Sequence, residues 1–492
     1  MNKMMIYVPG APVTLTHIIL GFLQWGRTAY PIIAPYENLS VIIPVYNEQE
    51  GIVETLGAVL DQTEPPHQII ISDNGSWDQT CLVIDRFLMQ KGYALRRIFD
   101  QSDSRLQICQ YENHNAPSIV FVRHKHQTSK ADSINEVLKL RLVRSSRTLV
   151  IDSDTIIRPT FVERMNENWY TLHISRKRAV INKSEMLGAT VLPQRNRKVG
   201  IQKSMIAMAR EAEYTFGQIC VKNGQNLTAL HVVPGCGFMC RTDKLGFSSK
   251  TVTDDMELTW IIQSRRKISK LNKSLLQKFI TENFQLKINN CLMPLVQFLE
   301  KFDKPVYFTE NNATYVDSAF MYTQEPKDFR SLFTQLARWL GGFHQILFLH
   351  GKDLRKGNKR LLFTIYGAKF EGLASSIMFF LVPGLLLIRI TTGYGVSLKF
   401  IGFFYIFDAL MQISGIILTT YRRNRLQERP KLDSVKDSLM AFFPNFFFIY
   451  ILRFVSSVQF LSSYLKTVWE TKVQKKTTWN CQWERPHGEM KT

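Results

Sequence analysis

Ser40-Val41-Ile42-Ile43-Pro44-Val45-Tyr46-Asn47-Glu48 is the stretch that decides how this chain folds. Its first six residues are almost continuously apolar, as in a strand buried on both faces of a parallel sheet, and the run breaks at a polar turn. The same rhythm repeats outward. A helical pattern from about 50 to 60 leads to Gln68-Ile69-Ile70-Ile71 and the polar Ser72-Asp73-Asn74-Gly75-Ser76. A second helical pattern from about 79 to 89 is followed by strand Ser118-Ile119-Val120-Phe121-Val122. A helix then opens near Lys130, and strand Thr148-Leu149-Val150-Ile151 ends at Asp152. Strands alternating with helices predict an α/β domain with a mixed, mostly parallel sheet and helices on both faces. Ligands in such sheets bind beyond the carboxyl ends of the strands, which is where Asp73 and the pair Asp152/Asp154 fall.

Two stretches break the rhythm. Arg96 to Pro117 is polar and reads as a loop. Arg265 to Asp303 reads as an inserted helical element, with an apolar face of Leu275, Leu276, Phe279, Ile280, Leu292, Leu295, Val296 and Leu299. That face either packs on the main domain or meets a membrane or partner. Three apolar blocks follow: Leu373 to Ile388, Lys399 to Thr420 around Asp408, and Met440 to Leu465 around Arg453. Each is a candidate membrane span or, alternatively, a buried core helix. Arg422-Arg423-Asn424-Arg425 is basic and belongs on the cytoplasmic side. Three spans would put the tail outside, although it carries Lys472, Lys475 and Lys476, so the number of spans stays open. Near the start, His17 to Leu23 is apolar but short, with Gln24 and Arg27 close behind; it suits an interfacial helix or weak anchor.

Composition narrows the function. With 492 residues, 45% hydrophobic and 12% aromatic, the chain holds two or three domains and is not disordered. Its net charge of +21 has no basic stripe with interleaved aromatics, which argues against a nucleic-acid partner. An acidic membrane surface and an anionic substrate fit that charge. The seven cysteines are scattered; Cys236 and Cys240 stand close, but no paired C-x-x-C occurs, so reduced thiols are expected.

Asp152-x-Asp154 at a strand end offers hard oxygen ligands for Mg²⁺ or Mn²⁺, the cations that offset charge on a departing diphosphate. Asp254-Asp255, after Thr253, supplies candidate general bases; the plainer reading is an N-terminal helix cap. In Gln335-Leu336-Ala337-Arg338-Trp339, Arg338 offers a planar fork for phosphate and Trp339 a flat face for a sugar ring. The pair equally suits a tryptophan at a membrane interface with an arginine snorkelling beside it.

Together these elements resemble family 2 glycosyltransferases of GT-A fold, in particular membrane-bound poly-N-acetylglucosamine, chitin, hyaluronan and cellulose synthases. The resemblance runs over Val41 to Glu48, Ser72 to Thr80, Ser129 to Asn135, Ile151 to Asp154, Pro234 to Phe238, Thr253 to Asp255 and Gln335 to Trp339, in that order. The family's usual T-E-D is T-D-D here. The resemblance implies a UDP-sugar donor, with Asp73 on the uracil beside the turn of Pro44, Tyr46 and Glu48, and Lys130 near the nucleotide. It implies Asp152 on the donor, Asp154 on Mg²⁺ or Mn²⁺, Asp255 beside Asp254 as the base, and Cys236 along the acceptor path. Gln335, Arg338 and Trp339 would hold the diphosphate and the acceptor end. The implied layout is a membrane-proximal segment (1–38), a catalytic domain (39–325), an amphipathic interface helix (326–360), transmembrane helices (361–470) and a basic tail (471–492). The implied enzyme is multi-pass in the cell (inner) membrane with its catalytic domain cytoplasmic, touching lipids and leaving room for an accessory membrane subunit. It is an inverting transferase that extends a β-linked oligo- or polysaccharide, most plausibly with N-acetylglucosamine. The alternatives are transfer of one sugar to a lipid, or a non-catalytic membrane protein that kept the fold.

Overall fold

A computed structural model describes residues 12–25, 29–34, 38–100, 105–194, 201–248, 250–288, 291–326, 328–395, 397–428, 430, 434–436 and 442–479. Residues 1–11, Arg27 and the far part of the basic tail (480–492) lie outside that description.

The described strands are β1 (Ala29–Ile33), β2 (Leu39–Val45), β3 (Gln68–Asp73), β4 (Ala94–Asp100) and β5 (Leu106–Glu112). β6 (Ser118–His124), β7 (Arg147–Ile151), β8 (Ile156–Ile157), β9 (Tyr170–Ile174) and β10 (Ala179–Pro193) follow. The last are β11 (Gly237–Arg241), β12 (Lys267–Lys270), β13 (Gln285–Ile288), β14 (Cys291–Pro294) and β15 (Val306–Thr323). They form one sheet in the order β14-β13-β1-β9-β10-β11-β7-β2-β3-β6-β5-β4, with β15 alongside β10 and carrying β8 and β12. Its nucleus, β7-β2-β3-β6, is parallel, and the flanks add antiparallel pairs.

Period two explains the nucleus. Val41, Ile43, Ile69, Ile71, Leu149 and Ile151 belong to one core layer, while Ile42, Ile70, Val120 and Val150 belong to the layer on the other face. Helices Ile52–Leu60 and Thr80–Gln90 cover the first face through Ile52, Leu56, Ile84 and Leu88. Helices Lys130–Lys139 and Asp254–Ser264 cover the second through Ile134, Val137, Leu258 and Ile262.

Two expectations need correction. The stretch Arg96 to Pro117, read as a loop, holds β4 and β5, which pair antiparallel and extend the sheet from β6. β4 is exposed along its whole length, so no apolar alternation betrays it, and its arginines guard an open edge. The insertion, read as helical, alternates strand and helix: helices Lys273–Thr281 and Leu295–Lys301 flank the β13–β14 hairpin. Of its apolar face, Leu275, Leu276, Phe279, Leu295, Val296 and Leu299 pack on the main core while Ile280 and Leu292 stay exposed, and Leu286 is registered against Ile32 of β1. Phe284 meets Tyr170 edge-on at 5.2 Å, and Phe279 lies 4.9 Å from Phe284 and 6.1 Å from Phe308.

The C-terminal part is helical: Phe329–Lys356, Lys359–Thr392, Leu398–Leu426 and Phe442–Lys472. Asp328 caps the first by accepting from the Ser331 amide at 2.7 Å. Leu332, Leu336, Leu340, Phe343 and Leu347 then form a buried stripe at helical spacing against Trp260 and Phe460. Of the expected spans, one helix among the described residues, Lys359–Thr392, is long and apolar enough to cross a membrane by length and composition. It leaves Phe370, Ile377, Leu387 and Ile390 exposed. Helix Pro12–Trp25 is too short to span. It rests on the π-helix Thr215–Lys222, with the Trp25 indole donating to the Ile219 carbonyl at 3.0 Å, while Ile19 and Leu23 face outward.

If the insertion is part of the main core, Phe279→Ala removes a fully buried ring and should cost about 3–5 kcal/mol. Thermal unfolding of the purified protein in detergent should then fall as one transition. An unchanged midpoint would show the insertion to be an independent appendage.

Candidate active site

At one end of the parallel nucleus, Val45 is registered against Asp73, so the turn after β2 lies beside the end of β3. The two turns are stitched together: the Asn47 amide donates to Ser76 Oγ at 2.9 Å and the Trp77 amide to Asn47 Oδ1 at 3.1 Å. The Glu48 amide donates to Thr80 Oγ1 at 2.7 Å. The Asp73 carboxylate is buried and accepts from the Ser76 amide at 3.2 Å. Burial pushes its pKa up against the Ser76 hydrogen bonds. Ser153 Oγ reaches Glu48 Oε2 at 3.5 Å, tying this turn to the Asp152-Ser153-Asp154 loop. Pro44 and Tyr46 are buried in the same turn.

β7 ends at Ile151, opposite Gly237 of antiparallel β11. That pairing brings the Pro234-Gly235-Cys236 turn alongside, and the Asp152 amide donates to the Cys236 carbonyl at 2.9 Å. Lys130 opens the helix capped by Ser129, and its ammonium bonds the Asp152 carboxylate and the Gly235 carbonyl, the latter at 3.1 Å. Burial works against the ammonium, but Asp152, Asp254 and Asp255 outweigh it and raise its pKa. Around Lys130 negative charge is in excess. Burial and then Asp152 raise Asp154 to about 7. Burial raises Asp254 to about 6, with Asp255 adding to it and Lys130 and Arg338 opposing. Burial also raises Asp255, opposed by Lys130 and Lys222. The Cys236 thiol is driven well up by burial, then by Asp152 and Asp154.

Asp254 and Asp255 sit in the first turn of helix Asp254–Ser264. Thr253 occupies the N-cap position but makes no side-chain capping bond, so the capping role expected of it is absent. Its hydroxyl instead abuts Gly342 of helix Phe329–Lys356: a Cβ there would stand 2.2 Å from Thr253 Oγ1. On the other side, a Cβ on Gly235 would stand 2.8 Å from Asp255 Oδ2. Two bare α-carbons thus let the Thr253-Asp254-Asp255 segment fit between the turn and the helix.

On that helix, Arg338 is exposed, with its charge felt at Asp254, while Gln335 and Trp339 are half-buried. Gln335 and Trp339 meet a residue that the sequence reading missed. Arg210 of helix Ile201–Tyr214 is fully buried, donates to Gln335 Oε1 at 3.1 Å and stacks 4.9 Å from the Trp339 ring. Its signal was Arg210-Glu211-Ala212-Glu213-Tyr214, where the arginine has Glu213 and Tyr214 at helical spacing. Lys222 was also missed. It is buried at the end of the π-helix; burial lowers its pKa to about 8, against the pull of Asp255 and Cys236.

The carboxylates suit a hard divalent cation. Asp154 and Asp152 are oxygen donors, and Asp154 is raised by burial and by its neighbour's charge, an excess that a cation would relieve. Among the described residues no three His, Cys, Asp or Glu side chains converge as a metal cluster. A cation here would therefore rest on one or two carboxylates and take its other ligands from a substrate and water.

Comparison with known proteins follows the same outline. Residues 40–175 match Glycosyl transferase family 2. The chain is 23% identical over 229 residues to the poly-beta-1,6-N-acetyl-D-glucosamine synthase of Staphylococcus epidermidis, covering 46% of this chain and 45% of that one. It is 25% identical over 129 residues to the glycosyltransferase GlyG of Streptococcus pneumoniae serotype 4, covering 26% of this chain and 34% of that one. The match thus spans less than half the length of these relatives. Among solved structures, the mannosyltransferase PcManGT of Pyrobaculum calidifontis, in complex with GDP-Man and Mn²⁺, superposes with a TM-score of 0.47 and 13% identity, covering 93% of this chain and 97% of that one. Residues 40–175, which carry the match to Glycosyl transferase family 2, include the parallel nucleus and the strand ends at Asp73 and Asp152.

Proposed function

We propose that this chain is a membrane-associated, inverting glycosyltransferase that passes a sugar from a UDP-sugar to a growing β-linked oligo- or polysaccharide. One observation carries the reading: Asp152, Asp154, Asp254 and Asp255 all lie within the field of Lys130, beside the strand ends where an α/β sheet receives a nucleotide. The name of the S. epidermidis relative supports N-acetylglucosamine as the sugar. Helix Lys359–Thr392 supports attachment to the cell membrane, and the basic Lys352, Arg355, Lys356, Lys359 and Arg360 at its N-terminal side support a cytoplasmic catalytic domain.

Asp73 and the turn of Pro44, Tyr46 and Glu48 hold the base of the donor, and Lys130 and Asp152 meet its diphosphate end. Asp154, with Asp152 beside it, would hold Mg²⁺ or Mn²⁺, which neutralises charge on the leaving diphosphate when bound. Inversion needs one in-line attack. Asp255 takes the proton of the acceptor hydroxyl as the oxygen bonds to the anomeric carbon, and the bond to the diphosphate breaks. A raised pKa makes Asp255 a better proton acceptor than an ordinary aspartate. Arg338 draws charge off the departing diphosphate, Trp339 gives the acceptor ring a flat face, and Cys236 lines its path.

Four outcomes test this. Membranes carrying the protein should release UDP from one member of a UDP-sugar panel, and the ladder of labelled products distinguishes a polysaccharide from a single sugar on lipid. EDTA should abolish the release, with Mg²⁺ or Mn²⁺ restoring it; release that survives full chelation counts against the cation site. Asp255→Asn should lower transfer by about 10²–10⁴-fold while UDP binding is kept; wild-type turnover in that variant would sink the assignment. Gly235→Ala presses on the mobile end of Asp255 rather than on backbone, so its melting temperature should stay near wild type while transfer falls. Full activity in Gly235→Ala would mean that this carboxylate's position is unimportant.

A further inference from the structure

A buried guanidinium is expensive unless each donor finds a partner. Arg210 is fully buried and makes four side-chain hydrogen bonds: Nε donates to Glu325 Oε2 at 3.2 Å and Nη1 to Glu213 Oε2 at 2.7 Å. Nη2 donates to the Tyr214 hydroxyl at 2.7 Å and to Gln335 Oε1 at 3.1 Å. The Arg210 guanidinium also lies 4.6 Å from the Tyr214 ring and 4.9 Å from the Trp339 ring. Such a network exceeds what anchoring one helix requires, since Glu213 and Tyr214 are on the arginine's own helix. Its long-range partners are Glu325 and the two ends of Gln335-Leu336-Ala337-Arg338-Trp339.

From this geometry we infer that Arg210 is the positioning residue of that motif, an inference that rests on the proposed transferase reading. Arginine has donors and no acceptor, so it dictates which way the Gln335 amide faces: oxygen toward Arg210, the NH₂ group away from it. Stacking on the Trp339 indole fixes the ring plane. Gln335 and Trp339 are four residues apart on one helical face, so a single guanidinium sets both. Arg338, between them, points elsewhere and stays exposed. Arg210 does not touch the reacting atoms; it acts through Gln335 and Trp339 on the acceptor.

Lysine keeps the charge but loses the planar fork and the stacking. In Arg210→Lys, UDP affinity should stay within about threefold and the melting temperature near wild type, while transfer to the sugar acceptor falls by about 10²-fold, as expected of a misplaced binding group. Donor hydrolysis to water should fall far less. Because Glu213 and Glu325 are also buried, the triple change Arg210→Met/Glu213→Gln/Glu325→Gln guards against misfolding by removing all three charges together. It should fold, bind UDP and show the same selective loss. Wild-type transfer in either variant, or hydrolysis and transfer falling in parallel, overturns the positioning role. A wild-type protein inert toward every UDP-sugar overturns the transferase reading instead. Positioning is then judged without turnover: in 5-fluorotryptophan protein, the ¹⁹F resonance assigned by its loss in Trp339→Phe should shift in Arg210→Lys, and an unmoved resonance refutes the contact.

Discussion

The ammonium of Lys130 is held by the Asp152 carboxylate and the Gly235 carbonyl, in the field of Asp254 and Asp255. One amine cannot balance that many carboxylates. Two like charges about 5 Å apart repel by about 3 kcal/mol at an effective dielectric near 20. The strain appears in the proton affinities: Asp154, Asp254 and Asp255 are all raised by burial, and Asp154 further by Asp152. A cluster in that state repels a diphosphate unless positive charge arrives with it. Under the proposed reading, that is why the donor would come with a divalent cation, and why an exposed guanidinium such as Arg338 at the rim is useful.

The hydrophobic core delivers these charges to one place. Asp152 follows Ile151, whose neighbours Val150 and Leu149 alternate between two core layers. A one-residue slip of β7 would swap these side chains between two close-packed layers, so register is firmly fixed and the loop after it is fixed too. β11 runs antiparallel from Gly237, opposite Ile151, and so the Gly235-Cys236 turn is set beside Asp152 by the same ladder. Helix Asp254–Ser264 arrives from a third direction, anchored by Trp260, whose indole donates to the His231 carbonyl at 2.7 Å. The polar cluster is expensive, and the layers around it hold it.

What was legible in the sequence follows from that division. β2, β3, β6 and β7 are buried on both faces and show it as apolar runs, so the nucleus and the acidic strand ends could be read directly. β4 could not, because an exposed edge strand has no buried face to leave a pattern. The insertion misled because Leu275, Leu276, Phe279 and Ile280 do lie on a helix, whereas Leu286 pairs across to β1 in a strand too short to show a period. Arg210 was illegible for a different reason. A fully buried arginine looks like any surface arginine until its partners, Glu325 and Gln335, are known, and they lie 115 and 125 residues away.

Helix Phe329–Lys356 joins these observations. Along its 28 residues it is held at three points, once on helix Ile201–Tyr214 and twice on the acidic helix and its approach. Gln335 and Trp339 close on Arg210 near its start, and Gly342 lies against Thr253 in the middle. Toward its end His350 Nε2 meets Glu257, two residues beyond Asp255, at 2.7 Å. Glu257 also accepts from Ser248 Oγ at 2.5 Å and Thr251 Oγ1 at 3.0 Å, so the segment leading into Asp254 is tied to the same carboxylate. The hydrogen bonds from His350, Ser248 and Thr251 outweigh burial and keep Glu257 below its ordinary pKa, hence charged and able to hold all three. A helix with such contacts cannot shift along its axis without moving Asp255. The long apolar helix Lys359–Thr392 begins almost directly afterwards, with Asn358 capping it. In the proposed membrane setting, the depth of that apolar helix and the position of the Asp255 carboxylate are therefore one mechanical quantity.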